Sequence, residues 1–115
     1  MIKVLIADDH ALFRDGLKRI INETDDIDVV AEAIDGKDIL KKAKECDWDI
    51  ALLDINLPDI NGLDILKRIL SANASSRVLV LSMYPEEEYA IRAIRSGASG
   101  YLTKDSPTDQ LISVI

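Results

Sequence analysis

Acidic side chains directly follow two apolar stretches of the sequence, a pattern that could hold a cation or accept a phosphoryl group. Asp8 and Asp9 come after residues 2–7, and Asp54 comes after residues 50–53. Short apolar stretches that are closed by polar or turn residues predict buried strands. Because a carboxylate is costly inside an apolar core, each of these acids is expected at the end of its strand, beside a partner.

A hydroxyl and a lysine occupy equivalent places later in the chain. Ser82 follows the apolar residues 78–81 of a predicted strand that begins at residue 77, and Lys104 follows residues 99–103. Neighbouring carboxylates repel one another, so a cation should lie among the acids, and oxygen donors favour Mg²⁺. A lysine and a hydroxyl opposite Mg²⁺ suit a phosphoryl group, which a carboxylate can accept. The pattern therefore predicts Asp54 as the nucleophile, with the metal and Lys104 stabilising charge on the phosphoryl group.

The elements that must position these side chains are strands alternating with helices. The predicted strands are residues 2–7, 27–34, 48–53, 77–81 and 99–103. The alternation indicates an α/β fold with a doubly wound five-stranded parallel sheet in the order 2-1-3-4-5 and helices on both faces. Parallel strands end at one edge of such a sheet, where ligands bind. The polar side chains are therefore expected to converge at that edge.

Local signals predict where the first helix begins and which face it buries. Asp9 is a suitable N-cap residue. The apolar positions that follow fall on one helical stripe, which is formed by Leu12, Phe13, Leu17, Ile20 and Ile21.

Turn residues mark the later helices. The pairs at 35–36 and 61–62 predict turns before the second and third helices, and Gly97 predicts the end of the fourth. Ser106 is a suitable cap for a last helix that ends with the chain at Ile115. This last helix is expected to be truncated.

Composition limits the class of protein. The 115 residues suit one domain, residues 1–115. Fourteen basic and 21 acidic residues give a net charge of −7, which argues against non-specific nucleic-acid binding by this segment. Cys46 is the only cysteine, which fits a reducing compartment. No apolar stretch approaches the roughly 20 residues of a membrane span, and the N-terminus enters a strand directly, so a cytoplasmic protein without a membrane partner is expected.

Taken together, these motifs resemble the receiver domain of bacterial two-component response regulators, over the whole chain. The short sequence motifs are similar to those of the NarL/FixJ (LuxR-type) transcriptional regulators. The residues that carry the resemblance are Asp8, Asp9, His10, Leu53, Asp54, Leu57, Pro58, Gly62, Ser82, Met83, Tyr84 and the run from Gly97 to Lys104. The fold that the resemblance implies is the flavodoxin-like receiver fold.

The resemblance also implies a Mg²⁺-dependent phosphoacceptor. Asp54 would accept a phosphoryl group from a phosphohistidine of a sensor histidine kinase. Asp8, Asp9 and Asp54, with the backbone carbonyl of Asn56, would hold Mg²⁺. Lys104 would pair with the phosphoryl group or, before phosphorylation, with Asp54.

The same resemblance implies that further residues respond to phosphorylation or set the lifetime of the phosphoryl group. Ser82 would hydrogen-bond a phosphoryl oxygen, and Tyr101 would follow it inward, which changes one face of the domain. Asn56, Met83 and Tyr84 resemble residues that tune the lifetime of the phosphoryl group. A half-buried strand tyrosine explains Tyr101 equally well.

The implied output is transcription regulation through a DNA-binding domain beyond residue 115, with possible homodimerisation on phosphorylation. DNA would then be bound only through that further domain. One departure from the family is Asp105, which follows Lys104 where many receivers have proline, so a cis peptide bond at this position stays open.

Other function classes remain for the sequence alone. A phosphatase with an aspartyl-phosphate intermediate usually has a second acid two residues after the nucleophile, where this chain has Asn56. A flavodoxin-like domain would bring a flavin phosphate against acidic residues. A phosphorylation-independent, receiver-like interaction module is the main alternative. His10 is interpreted as a helix-start residue rather than a phosphodonor or ligand, and with Cys46 it forms no zinc-like set.

Overall fold

The computed structural model describes residues 1–82 and 87–104, which form a parallel sheet with helices on both faces. The strands are β1 (Ile2–Ala7), β2 (Ile27–Ala33), β3 (Ile50–Asp54), β4 (Arg77–Ser82) and β5 (Gly100–Thr103). Every neighbouring pair is parallel, and the order is β2-β1-β3-β4-β5. The predicted strand order 2-1-3-4-5 is therefore confirmed.

Four helices connect these strands in the described part of the chain. They are α1 (Ala11–Asn22), α2 (Gly36–Glu45), α3 (Gly62–Ala72) and α4 (Glu87–Arg95). Helix α1 packs on one face of the sheet through Leu17 and Ile21. Residues of α2, α3 and α4, including Ile39, Leu66 and Ala93, pack on the other face.

The central strands are apolar on both sides because both of their faces are covered. In β1, Val4 and Ile6 join the core beneath α1, while Leu5 and Ala7 join the core beneath the other helices. Successive side chains of a strand point to opposite faces, so a strand buried on both sides needs a continuous apolar sequence. Such a strand can accept a charged residue only where it ends.

The start of α1 differs from the sequence prediction. His10 rather than Asp9 occupies the N-cap position, and its side chain makes no capping hydrogen bond. The rest of the predicted stripe faces the sheet, since Leu17 and Ile21 are buried and Phe13 is partly buried, but Leu12 is 89% exposed. The prediction that Leu12 belongs to the core face was wrong.

The turns predicted before α2 and α3 are helix N-caps. The Asp35 side chain accepts the backbone N–H of Asp38, and the Asn61 side chain accepts that of Leu63. Both residue types are favoured at N-caps because their oxygens satisfy backbone donors that have no partner within the helix. The next residues, which are glycines, are already helical.

Five strand boundaries also differ slightly from the prediction, including β3 and β4, which each extend one residue further, to Asp54 and Ser82. Strand β2 ends at Ala33, and the side chain of Ile34 is half-exposed. Strand β3 begins at Ile50 rather than Trp48, whose indole N–H donates to the carbonyl of Ala43 at the end of α2. Strand β5 begins at Gly100 rather than at residue 99.

The backbone requires glycine at two helix ends, at Gly97 after α4 and at Gly62 at the start of α3. Gly97 has φ of +105°, in the region that favours glycine, and it follows the end of α4 as predicted. A Cβ on Gly62 would lie 2.4 Å from the Cα of Ile55. Only a residue without a side chain allows α3 to begin this close to the end of β3.

Several predictions fall outside the described residues. These are the last helix with its Ser106 cap, the Lys104–Asp105 peptide bond, and the positions of Met83 and Tyr84. No helix among residues 1–82 and 87–104 has the length and apolar character that a membrane crossing requires.

Candidate functional site

The ends of β1, β3 and β5 bring three of the predicted side chains into direct contact. Asp8 and Asp54 are almost completely buried, and Lys104 Nζ lies 2.6 Å from Asp8 Oδ2 and 3.0 Å from Asp54 Oδ2. The lysine follows the last residue of β5, so its side chain crosses β4 to reach the acids. The convergence expected from the topology is therefore present.

Asp54 is held by groups from three elements. Its Oδ1 accepts the backbone N–H of Asn56 at 3.0 Å, and its Oδ2 accepts a hydrogen from Lys104. The backbone N–H of Ile55 donates to the carbonyl of Leu81, which continues the pairing of β3 with β4. A buried carboxylate requires such partners, because an unpaired charge inside a protein is strongly unfavourable.

Lys104 is also buried, with only 4% of its side chain exposed. Its backbone N–H donates to the carbonyl of Ser82, and its ammonium lies 4.7 Å from the centroid of the Phe13 ring. The aromatic face adds a favourable cation–π contact. The ammonium is therefore fixed at the centre of the site, between the ends of β1 and β3.

The donor set fits a divalent cation. Asp8, Asp9, His10 and Asp54 each offer one ligand atom, and these atoms lie within 4.8 Å of one another. Asp8 Oδ2 is buried and, despite its closeness to the ammonium, accepts no hydrogen bond from any described residue. Three carboxylates face one lysine, so the acids keep an excess of negative charge that a bound cation would neutralise.

His10 lies at the start of α1, as interpreted from the sequence, and its imidazole also lies against the acids. Its Nδ1 lies 3.0 Å from Asp8 Oδ1, 3.3 Å from Asp9 Oδ1 and 3.9 Å from Asp54 Oδ2. Its backbone N–H also donates to Asp8 Oδ1, at 2.8 Å. Because α1 begins after His10 and not after Asp9, the imidazole turns back over the acids. The signal in the sequence was the position of the histidine two residues after Asp8.

Arg14 of α1 is a residue near the site to which the sequence analysis gave no role. Its Nη1 donates to the carbonyl of Asp8 at 2.6 Å, and its Nε donates to Glu32 of β2 at 3.3 Å. Lys18 adds a second contact to Glu32, at 3.0 Å. These contacts hold the turn that contains Asp8 against α1 and β2.

The remaining predicted residues lie around this centre. Ser82 is buried at the end of β4, and its register partner on β5 is Thr103. Tyr101 is half-buried and packs against the core shared by α2, α3 and α4. Asn56 is exposed on the loop that follows Asp54. Met83 and Tyr84 lie outside the described residues.

Comparison with known proteins gives a consistent relationship. Residues 4–115 match the sequence profile of the response regulator receiver domain. The transcriptional regulatory protein DegU of Brevibacillus brevis is 37% identical over 114 residues, which cover 99% of this chain and 48% of DegU. The chain therefore spans about half the length of that relative.

Solved structures agree with the sequence relationship. A LuxR-family two-component response regulator from Aurantimonas sp. SI85-9A1 has a TM-score of 0.91 and 32% identity, covering 96% of this chain and 79% of that one. The signal receiver domain of NarL from Mycobacterium tuberculosis has a TM-score of 0.91 and 34% identity, covering 97% of this chain and 90% of that one.

Proposed function

Because the chain belongs to the response regulator receiver domain family and is similar to NarL- and LuxR-type regulators, we propose that Asp54 is its phosphoacceptor. The phosphoryl group would come from a phosphohistidine of a sensor histidine kinase. An Asp54 oxygen forms a bond to phosphorus, the bond between phosphorus and the histidine nitrogen breaks, and the electron pair of that bond stays with the histidine. The product is an acyl phosphate.

The observation that carries this proposal is the contact of a buried lysine with a buried aspartate at the edge of the sheet. Lys104 Nζ lies 3.0 Å from Asp54 Oδ2, and both side chains are almost fully removed from solvent. An ammonium fixed beside a carboxylate is already in position to stabilise the additional negative charge of a phosphoryl group. A structural ion pair would not require two further acids beside it.

We assign the cation of this site as Mg²⁺, held by the carboxylates of Asp8, Asp9 and Asp54 with the backbone carbonyl of Asn56. Oxygen donors and a partly solvated position suit this ion, which keeps several of its waters. When bound, it would supply neutralisation of charge on the transferring phosphoryl group. Asp9, one-third exposed, is on the side open to solvent.

Ser82 and Tyr101 are proposed to read the phosphorylated state. Ser82 is buried at the end of β4 next to Lys104, where its hydroxyl can hydrogen-bond a phosphoryl oxygen. Tyr101 is a register partner of Val80, and an inward movement of its ring would change the surface formed by α4 and β5. Asn56, Met83 and Tyr84 are proposed to tune the lifetime of the phosphoryl group.

The proposed output is transcription regulation through a DNA-binding domain that is distinct from residues 1–115. The relatives support this assignment, since DegU is named as a transcriptional regulatory protein and the chain spans about half of it. Homodimerisation on phosphorylation is part of the proposal. The chemistry is limited to the domain's own phosphorylation and dephosphorylation.

Intact-mass measurement after incubation with Mg²⁺ and acetyl phosphate tests the phosphoacceptor assignment. We expect the mass of one phosphoryl group to be added to the parent chain, and no addition to Asp54→Asn or to the parent in excess chelator. Asp59→Asn is the matched control, because Asp59 is an exposed carboxylate on the same loop whose side chain contacts α2. This variant should still be modified.

Addition of a phosphoryl group to Asp54→Asn would contradict the assignment of the acceptor. A parent chain that gains no mass and binds no Mg²⁺ would favour the alternative of a phosphorylation-independent interaction module. Quantitative modification of both the parent and Asp59→Asn, with none of Asp54→Asn, would support the proposal.

A further inference from the structure

We propose that His10 is a nitrogen ligand of the cation site, so that this receiver binds a borderline divalent cation such as Zn²⁺ or Co²⁺ more tightly than carboxylates alone would allow. The inference rests on the proposed function in one respect, which is that a cation binds among Asp8, Asp9 and Asp54. It goes further by assigning a side-chain nitrogen to a site otherwise built from oxygen donors.

The first argument is the position of the imidazole. His10 Nδ1 lies within 4 Å of a carboxylate oxygen of Asp8, of Asp9 and of Asp54, at 3.0, 3.3 and 3.9 Å. A side chain that merely started a helix would have no reason to contact acids from the ends of both β1 and β3. The nitrogen faces the same space as the oxygens, which is the arrangement expected of a ligand.

The second argument concerns the hydrogen on this nitrogen. Nδ1 lies 3.0 Å from Asp8 Oδ1 and 3.1 Å from Lys104 Nζ. A hydrogen on Nδ1 would suit the carboxylate but would face the ammonium, whereas a lone pair would suit the ammonium but would face the carboxylate. Neither form of the ring satisfies both neighbours. A metal ion bound by the nitrogen lone pair and by the carboxylates would remove this conflict.

The third argument comes from a buried oxygen. Asp8 is 1% exposed and is one of the residues that offer a ligand atom, and its Oδ2 accepts no hydrogen bond from the described residues. This oxygen forms an ion pair with Lys104 Nζ at 2.6 Å, and a carboxylate oxygen has a second lone pair that such a contact leaves for a metal ion. The ammonium of Lys104 partly fills the place of such an ion.

Donor chemistry selects the class of ion. Imidazole nitrogen suits Zn²⁺, Co²⁺ and Ni²⁺, whereas carboxylate and carbonyl oxygens suit Mg²⁺. The ring of His10 is about half-exposed, at 55%, so a hydrated ion can reach the nitrogen from solvent. Removal of the imidazole should therefore weaken binding of the borderline ions while leaving Mg²⁺ largely unaffected.

Titration calorimetry on the 115-residue chain, prepared without a tag, would test this inference. The background should carry Cys46→Ser, because the cysteine is a competing zinc ligand. We expect His10→Ala to weaken Zn²⁺ binding at least about 10-fold, because loss of a ligand should cost no less than the roughly 10- to 100-fold cost of losing a ligand's supporting contact. Mg²⁺ binding should change less than about twofold. Leu12→Ala, an exposed neighbour on α1, is the matched control.

The single histidine of the chain offers a second, independent readout. In nitrogen NMR spectra, Zn²⁺ should shift the Nδ1 resonance of His10 and Mg²⁺ should leave it nearly unchanged. Equal Zn²⁺ affinities of the parent and His10→Ala, or an unmoved Nδ1 resonance, would overturn the inference while Mg²⁺ binding continued to support the proposed function. Absence of binding of either ion would contradict both.

Discussion

The side chain of Asp59 links the loop after β3 to a neighbouring helix. Its carboxylate accepts the backbone N–H of Gly36 at 2.6 Å and that of Lys37 at 3.1 Å, at the start of α2. The hydrogen bond from Gly36, followed by that from Lys37, holds the pKa of Asp59 below its usual value. Negative charge is also favourable near a helix N-terminus.

This contact predicts an acid-dependent part of the stability. Because the pKa of Asp59 is lower in the folded chain, its contribution is present above the pKa of the unfolded chain, about 4, and is lost as pH falls through the folded value. Asp59→Asn should therefore be less stable than the parent at neutral pH, and the difference should shrink below about pH 4. Urea unfolding midpoints measured across this range would check the prediction. A difference independent of pH would contradict it.

At the scale of single residues, the charged centre was predictable and its surroundings were not. Asp54 and Lys104 could be located because each directly follows an apolar strand, and a parallel sheet brings such positions to one edge. The contact of His10 with the acids depends on the residue at which α1 begins, which varies by one or two positions in any sequence-based assignment. Arg14 was missed because a long side chain on the outer side of a helix can still bend back to a strand end.

At the scale of elements, Gly62 and Gly16 differ in whether the structure has room for a side chain. A Cβ on Gly62 would overlap the backbone of Ile55, so α3 begins in direct contact with the end of β3. Gly16 lies in the middle of α1, exposed, and a Cβ there would meet nothing within 4 Å. Glycine in a helix interior is less favourable than alanine unless the space is needed.

Substitution of each glycine by alanine should therefore change the free energy of unfolding in opposite directions. Gly62→Ala is expected to lower it by about 1–3 kcal/mol, because the backbone of the loop must move to relieve the overlap. Gly16→Ala is expected to raise it by about 0.5–1 kcal/mol, because alanine loses less conformational entropy in a helix. Denaturant unfolding of both variants beside the parent measures these changes. Equal effects of the two substitutions would show that the close approach at Gly62 is not a constraint.

The elements themselves were largely predictable, and their boundaries were less so. Asp35 and Asn61 were recognised as turn residues, but their side chains cap α2 and α3, because the same polar oxygens serve turns and helix starts. Trp48 was assigned to the start of β3. Its indole N–H needs a partner, which it finds at the end of α2, so the residue stays outside the strand.

At the scale of the whole molecule, the alternation of apolar strands and amphipathic helices was sufficient for the sheet order. The order follows because short right-handed crossovers leave few topologies for such a chain. The net charge of −7 follows directly from the sequence, but the sequence composition does not show where the acidic residues cluster. Three of the acidic residues lie in one cluster with only one buried lysine among them.

This distribution predicts that a specific cation stabilises the entire domain. Mg²⁺ that binds the folded chain and not the unfolded one should raise the free energy of unfolding with its concentration, by about 2.7 kcal/mol at a hundred times the dissociation constant. General screening of a net charge of −7 would also stabilise the chain, but NaCl of equal ionic strength would do the same. Thermal or urea unfolding in both salts separates the two effects.

Two variants with the same change of net charge locate the effect. Asp54→Asn removes a ligand atom from the cluster, whereas Asp25→Asn removes an exposed charge before β2, at the opposite edge of the sheet. We expect Asp25→Asn to keep the full response to Mg²⁺ and Asp54→Asn to lose most of it. An equal response of the two variants would mean that the cation acts on the overall charge and not on the site, because only the position of the removed carboxylate differs between them.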